Sequence, residues 1–259
     1  MKTIILIMGL PGSGKTTLAK ELVKALKADW LNADKVRKKF NDWDFSETGI
    51  FRQVKRMREL ANRSKKKYVV ADFVSPLNKQ IKIFKPNYII WMDTIKKSRY
   101  SYMNKIFQKP KKWHLKVTSK DCHLWKIPII DKFKKYKWSN KTETAQMLGR
   151  FQPFHEGHKN LFFEILKRKS QILIMVKDVY KIGDNPFNFL QIKKKIMNDL
   201  LPFKNRFKVI LAPHISNIYY GREVGYKIEK INLSRDIQKI SGTKIRRTLR
   251  AERRLKSYK

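Results

Sequence analysis

The chain has 259 residues, enough for one large domain or two ordinary ones. A hydrophobic fraction of 42%, with 15 Phe, 10 Tyr and 6 Trp, excludes a disordered chain. No apolar run approaches the ~20 residues that a membrane helix needs. There are 61 basic residues against 21 acidic ones, a formal charge of +40, which suits anionic substrates or nucleic acid. The lysines are spread along the whole chain rather than held in one stripe, so a biased genome combined with small anionic substrates accounts for most of the charge. Non-specific nucleic-acid binding at low salt is still expected. The lone Cys122 cannot form an internal disulfide, and a reducing, cytoplasmic setting is the natural expectation.

Residues 3–8 form a continuous apolar run, as a strand buried on both faces does. The N-terminus resembles a signal peptide only briefly, because the run leads straight into GLPGSGKTT at residues 9–17. That stretch matches GxxxxGK[ST], the P-loop. Gly9, Gly12 and Gly14 permit the turn that aims backbone amides at phosphates, with Ser13 and Thr17 in the same cradle. Lys15 is expected on the β- and γ-phosphates, and Thr16 on Mg²⁺. Leu18, Leu22, Val23 and Leu26 then mark one side of a helix.

The next pieces are LNADKVRKKF (31–40), DFSETG (44–49), RQVKRMREL (52–60) and VVADFVSPL (69–77). Together with the P-loop they resemble adenylylsulfate kinase, which phosphorylates a 3′-hydroxyl. The family's first piece reads DGDNxR; here Asn32 and Ala33 replace the leading Asp-Gly, while Asp34 and Arg37 match. The resemblance implies that Asp34 helps position Mg²⁺ or takes the hydroxyl proton. It implies that Arg37 holds the acceptor's anionic group, with Arg56 and Ser75 as further substrate contacts. In the family's helical segment a pair of arginines follows Asn-Ile; here Lys55 and Arg56 follow Gln53 and Val54. Asp72, polar at the end of an apolar strand, either contacts Mg²⁺ through water or caps the strand. Residues 87–93 read as another buried strand. Residues 94–112, with Arg99, Tyr100, Tyr102, Lys105 and Phe107, correspond to the family's lid, or equally to a solvated helix. A strand near 113–116 and a helix over 127–133 close this half. His114 and His123 have no partner at a metal-ligand spacing, and no Cys/His array suggests zinc. The polar residues 138–144 read as a linker.

The second half restarts with a short apolar strand at 145–148 and the loop GRFQPFHEGH at 149–158. His155 and His158 fall at the mouth of the next helix, where free amides and a partial positive charge suit phosphate. Imidazoles there can bind and neutralise phosphate oxygens as charge builds during transfer. The loop resembles the signature of the nucleotidylyltransferase superfamily, most closely its nicotinamide-nucleotide adenylyltransferase branch. Gly149, Arg150 and Phe151 are its implied nucleotide contacts. Strands are expected at 170–177 and 207–212, with a helix over 189–201 between them. GDNPF at 183–187 resembles the branch's NPF segment, and residues 218–228 are a candidate part of the nucleotide pocket. ISGTKIRRTL at 240–249 resembles the superfamily's second signature, ISxTxxR. Ser241 or Thr243 would cap a helix whose amides meet the triphosphate, and Arg246 would point at its β- and γ-phosphates.

The expected fold is α/β in two domains, with helices on both faces of parallel sheets. Residues 1–140 would be a P-loop kinase domain, and 144–259 a small Rossmann-like nucleotidylyltransferase domain. The expected function is bifunctional: a γ-phosphoryl group moved to a hydroxyl, and a nucleotidyl group moved to a phosphate-bearing acceptor with release of pyrophosphate. ATP or another nucleoside triphosphate, with Mg²⁺, serves both. Two alternatives stay open. One is a nicotinamide-nucleotide adenylyltransferase of the NAD-salvage type fused to a small-molecule kinase. The other is a non-catalytic, basic nucleic-acid-binding protein. The acceptors and the oligomeric state are open.

Overall fold

In the computed structural model, β1 (Thr3–Met8) is buried along almost its whole length, because it lies between two neighbours in a parallel sheet. The structure describes residues 2–219, 221, 222, 225 and 227–255. The chain divides into two units, Met1–Lys135 and Tyr136–Lys259.

In the first unit β1 is followed by α1 (Lys15–Leu26), β2 (Asp29–Asn32), α2 (Ala33–Lys39), α3 (Glu47–Arg63), β3 (Tyr68–Asp72), α4 (Asn78–Phe84), β4 (Tyr88–Met92), α5 (Ser101–Ile106), β5 (Leu115–Val117) and α6 (Cys122–Lys134). The strands form one parallel sheet in the order β2-β3-β1-β4-β5. Ile4, Leu6 and Met8 of β1 join Val69 and Ala71 of β3 in a core closed by Val54, Met57 and Ala61 of α3 and Phe84 of α4. Ile5 and Ile7 alternate with them and are equally buried, so β1 needs apolar residues on both faces. The sheet brings the C-terminal ends of β1, β2 and β3 side by side, with Asn32 in register with Asp72. The region expected as a lid holds one short helix, α5. Its end is fastened by Asn78, whose side chain bonds Gln108, Lys109 and Lys111.

The second unit contains β6 (Thr144–Gly149), α7 (Glu156–Arg168), β7 (Gln171–Lys177), α8 (Phe189–Asp199), β8 (Phe207–Ala212), α9 (Arg235–Gln238) and α10 (Gly242–Ala251). Its sheet has three parallel strands in the order β6-β7-β8. Phe162 of α7 packs edge-on against Phe203 and Phe207, and all three are buried. Helices were expected on both sheet faces, yet Leu148, Ile210 and Leu211 are exposed on the edge strands.

The polar stretch expected as a linker is built into the second unit. Gln171, fully buried at the start of β7, donates to Ser139 O (2.7 Å), Thr142 O (3.3 Å) and Thr144 Oγ1 (2.6 Å). Its Oε1 accepts from Tyr136 Oη and the Ser139 amide. Tyr136 and Trp138 also lie under the cations of Arg206 and Lys208. These bonds lie on the second unit's side of the division between Lys135 and Tyr136.

Candidate functional site

The P-loop joins β1 to α1. Gly9 has φ +148, and a Cβ there would stand 2.6 Å from Met92 O, so only glycine fits. Gly12 and Gly14 are left-handed, and Gly14 caps α1 without a side-chain bond, leaving first-turn amides for a ligand. Lys15 is buried, and its Nζ donates to Leu10 O at 2.8 Å. Burial lowers its pKa to about 8, against the opposing charges of Asp72 and Asp34. Ser13 is fully buried, and its hydroxyl has no hydrogen-bond partner. Thr17 is exposed on the first turn.

Thr16 is bonded to Asp72 rather than to Asp34: Thr16 Oγ1 donates to Asp72 Oδ2 at 2.8 Å. Asp72 is 2% exposed and also accepts from Trp30 Nε1 (2.7 Å) and Asn32 Nδ2 (3.0 Å). Burial raises its pKa, opposed by these three bonds and by Lys15. Asn32 thus donates to the carboxylate on the neighbouring strand from the position where the kinase resemblance leads with Asp. A hydroxyl beside a carboxylate is a hard oxygen donor set of the kind Mg²⁺ takes alongside substrate phosphates. Sequence reasoning left Asp72 undecided; an acid ending a buried strand was the available signal, and only the sheet order put it beside Thr16. Asp34 is exposed on the first turn of α2. No group of three or more His, Cys, Asp or Glu among the described residues is arranged for a metal ion.

Arg37 and Arg56, from different helices, meet at one carboxylate. Arg56 Nη2 donates to Asp42 Oδ2 at 2.9 Å, and Arg37 Nη1 lies 3.9 Å from Asp42 Oδ1. Arg37 also donates to Asp42 O and Asp44 O. Arg52, which the sequence reading did not select, grips Asp42 with two bonds. Ser75 lies just past β3 with φ +47; it is 1% exposed, and its hydroxyl has no partner.

In the second unit His155 and His158 cap α7. The His155 Nδ1 accepts from the Gly157 amide (3.1 Å), and the His158 Nδ1 accepts from the His155 amide (3.3 Å). With each Nδ1 accepting, the neutral ring proton sits on Nε2. The rings stack 3.8 Å apart, and Phe151 and Phe154 flank His158. Burial, then the His155 charge, lowers the His158 pKa to about 3; burial also lowers that of His155. The pair is therefore neutral near pH 7 and offers N–H donors.

The two signatures meet. Gly242 approaches the loop so closely that a Cβ would stand 2.8 Å from Gln152 O. Arg246 Nη1 donates to that same oxygen, Nε donates to Asp184 (2.9 Å) and Nη2 to Thr243 Oγ1 (3.2 Å). Gln152, joined to Pro153 by a cis peptide, bonds both ways with the Phe187 backbone (2.7 and 2.9 Å), tying in the Asn185-Pro186-Phe187 segment. Ser241 caps α10 by accepting from the Lys244 amide. Gly149 ends β6 against the Phe151 ring, Phe151 is buried with φ +51, and Arg150 is exposed. A cleft of about 280 Å³ is lined by Pro153, Phe154, His155, Lys195 and Ile245, among others. Within the stretch 218–228, positions 220, 223, 224 and 226 lie outside the described residues.

Residues 4–78 match a family described as AAA domain, a span that includes the P-loop, Asp34, Asp72 and Ser75. This supports a P-loop nucleotide-binding unit. No curated protein matches the chain. Among solved structures, a mutant of the APS kinase of Mycobacterium tuberculosis is 21% identical, with a TM-score of 0.44, over 51% of this chain and 97% of that one. A shikimate kinase from Acinetobacter baumannii in complex with shikimate is 16% identical, with a TM-score of 0.40, over 54% of this chain and 97% of that one. No helix among the described residues is long and apolar enough to cross a membrane.

Proposed function

We propose that the chain is a bifunctional transferase: a P-loop kinase that phosphorylates a hydroxyl of an anionic nucleotide such as adenylylsulfate, followed by a nucleotidylyltransferase. The Thr16–Asp72 bond beside the buried Lys15 carries the kinase half. Lys15 turns from Leu10 O to the β- and γ-phosphates, while Thr16 and Asp72 hold the metal side. Magnesium, when bound, offsets phosphate charge there. The acceptor oxygen bonds to the γ-phosphorus, the bond from the γ-phosphorus to the bridging oxygen breaks, and ADP leaves. Asp34 takes the hydroxyl proton, and Arg37, Arg56 and Ser75 orient the acceptor.

Contact between Gly242 and Gln152 carries the second half, because it joins the HxxH loop to the ISGT helix. An acceptor phosphate oxygen attacks the α-phosphorus of a nucleoside triphosphate, and the bond to pyrophosphate breaks without a covalent enzyme intermediate. His155 and His158 donate from Nε2 to the developing charge, and Arg246 and the amides after Ser241 hold the leaving group. Small anionic substrates in the cytoplasm fit the free Cys122 and the charge, which also supports loose nucleic-acid association.

A substrate panel with ATP and Mg²⁺, following ADP and pyrophosphate separately, tests both halves. Lys15→Ala is expected to abolish ADP formation and to spare pyrophosphate release. ADP formation that survives in Lys15→Ala refutes the kinase half. No pyrophosphate from any phosphate-bearing acceptor refutes the other.

A further inference from the structure

The loop between α2 and α3 folds its own carboxylate into a nest of guanidinium groups. Asp42 Oδ2 accepts from Arg52 Nε and Arg56 Nη2, and Oδ1 accepts from Arg52 Nη2 and the Asp44 amide. The Asp42 side chain is only 9% exposed. Arg37 holds the backbone of the same loop through Asp42 O and Asp44 O. Phe45 lies under Arg37 and Phe40 under Arg56, so the rings anchor the loop over the cations. Phe40, Trp43 and Phe45 nevertheless keep about half their surface in solvent. Three guanidinium bonds to the Asp42 carboxylate fasten the loop, together with the Arg37 bonds to its backbone and the Arg52 bond to Asp44, so removing the Asp42 carboxylate from its donors loosens the loop.

We propose that Asp42 is an internal stand-in for the acceptor's anionic group, displaced when the acceptor binds, and that this exchange selects tetrahedral dianions over carboxylates. The proposal rests on Arg37 and Arg56 being the acceptor's anion site. A ligand carboxylate brings one charge and two oxygens, the same as Asp42, and gains nothing by replacing it. A sulfate or phosphate end brings more oxygens and up to two charges to donors arranged as a fork. When Asp42 leaves, Arg37, Arg52 and Arg56 lose their shared carboxylate and keep Asp44, which pairs with Arg52, and Asp34, which acts on Arg37, so a dianion meets an excess of positive charge. Release of the loop also frees Trp43 to change its surroundings.

The test uses the full-length protein with saturating Mg·ADP, so that the P-loop is already filled. Sulfate and acetate are titrated while the Trp43 signal is taken as the fluorescence difference between wild type and Trp43→Phe. Sulfate is expected to change the signal and acetate to leave it flat. Asp42→Asn is expected to bind sulfate at least about tenfold tighter, the scale of one charge-assisted hydrogen bond no longer competed for. Glu59→Gln, which removes an exposed charge from α3, the helix that carries Arg52 and Arg56, is expected to match wild type. Should Asp42→Asn fail to fold, amide exchange in wild type decides: sulfate is expected to speed exchange at Asp42, Asp44 and Ser46. Equal or weaker sulfate binding in folded Asp42→Asn, an equal response to acetate, or slower loop exchange overturns the proposal. The readout is binding alone, so loss of turnover in Lys15→Ala cannot be mistaken for it.

Discussion

Thr16 donates its hydroxyl hydrogen to Asp72 Oδ2 at 2.8 Å, across 56 residues of chain. That bond pins the first turn of the P-loop helix to the end of the adjacent strand. It also places a carboxylate where burial opposes its charge, an arrangement typical of sites that trade stability for chemistry.

Asp72→Asn is therefore expected to lower kinase turnover by on the order of 10²–10³, the usual cost of one preorganised charged group. Its melting temperature is expected to stay within about 4 °C of wild type. The lost hydrogen bonding, ~1 kcal/mol, is opposed by relief of a buried charge. Turnover and thermal unfolding on the same preparation check this; a large stability loss with normal turnover per folded molecule would make Asp72 purely structural.

Nucleotide binding is expected to take up a proton in mildly alkaline solution. Lys15 has its pKa lowered to about 8 in the ligand-free site, and phosphate oxygens raise it on binding. Above pH ~8 the free lysine loses its proton, so ADP affinity falls as pH rises through that value. For folding the sign is opposite: the unfolded chain holds this proton up to about 10.5, so Lys15 opposes stability below pH ~8 and less so above, and stability rises with pH through that window. Titration calorimetry in buffers of different ionisation enthalpy measures the uptake, which should vanish in Lys15→Met.

His158 links acid to the stability of the second unit. Its folded pKa of about 3 lies below the ordinary 6.5, so the unfolded chain binds a proton first. Stability is expected to fall as pH drops from about 6.5 towards 3. His158→Gln should flatten that acid limb. It should also reduce pyrophosphate release by roughly 10²–10³ with little change in nucleotide affinity, if its Nε2 proton serves the transition state. A flatter limb with normal turnover would leave His158 as a cap alone.

Gly242→Ala tests the meeting of the two signatures. The added Cβ has a backbone oxygen 2.8 Å away, so α10 or the HxxH loop must shift. A displacement near 1 Å at reacting groups costs about 10²-fold. Pyrophosphate release is expected to fall by that factor while ADP formation is unchanged.

Gln171 sets where the second unit begins. A fragment starting at residue 136 retains every partner of this buried amide; one starting at residue 144 leaves it with Thr144 alone. Unsatisfied buried groups cost ~1–3 kcal/mol each. The shorter fragment is expected to melt several degrees lower, and calorimetry of the two fragments compares them.

Much of this protein was legible in local sequence. GLPGSGKTT specifies a strand, loop and helix because glycines, lysine and threonine act within nine residues. Buried strands announce themselves as unbroken apolar runs, and β7 and β8 came out within a residue of the expected spans. His155 and His158 were readable because capping and stacking act over three residues. What the sequence could not decide were meetings between distant residues. Asp72 reaches Thr16 only because β3 lies next to β1, and Asn32 donates to it only because β2 lies next to β3. Arg37, Arg52 and Arg56 read as basic residues on two helices until the loop between them turned Asp42 inward. Residues 138–144 read as a polar linker because nothing local reveals that a buried glutamine, Gln171, will bond Ser139, Thr142 and Thr144. Local motifs encode bonds made within a turn or two of chain; the carboxylate that each cation meets is settled by strand order and loop closure, which depend on the packing of the whole unit.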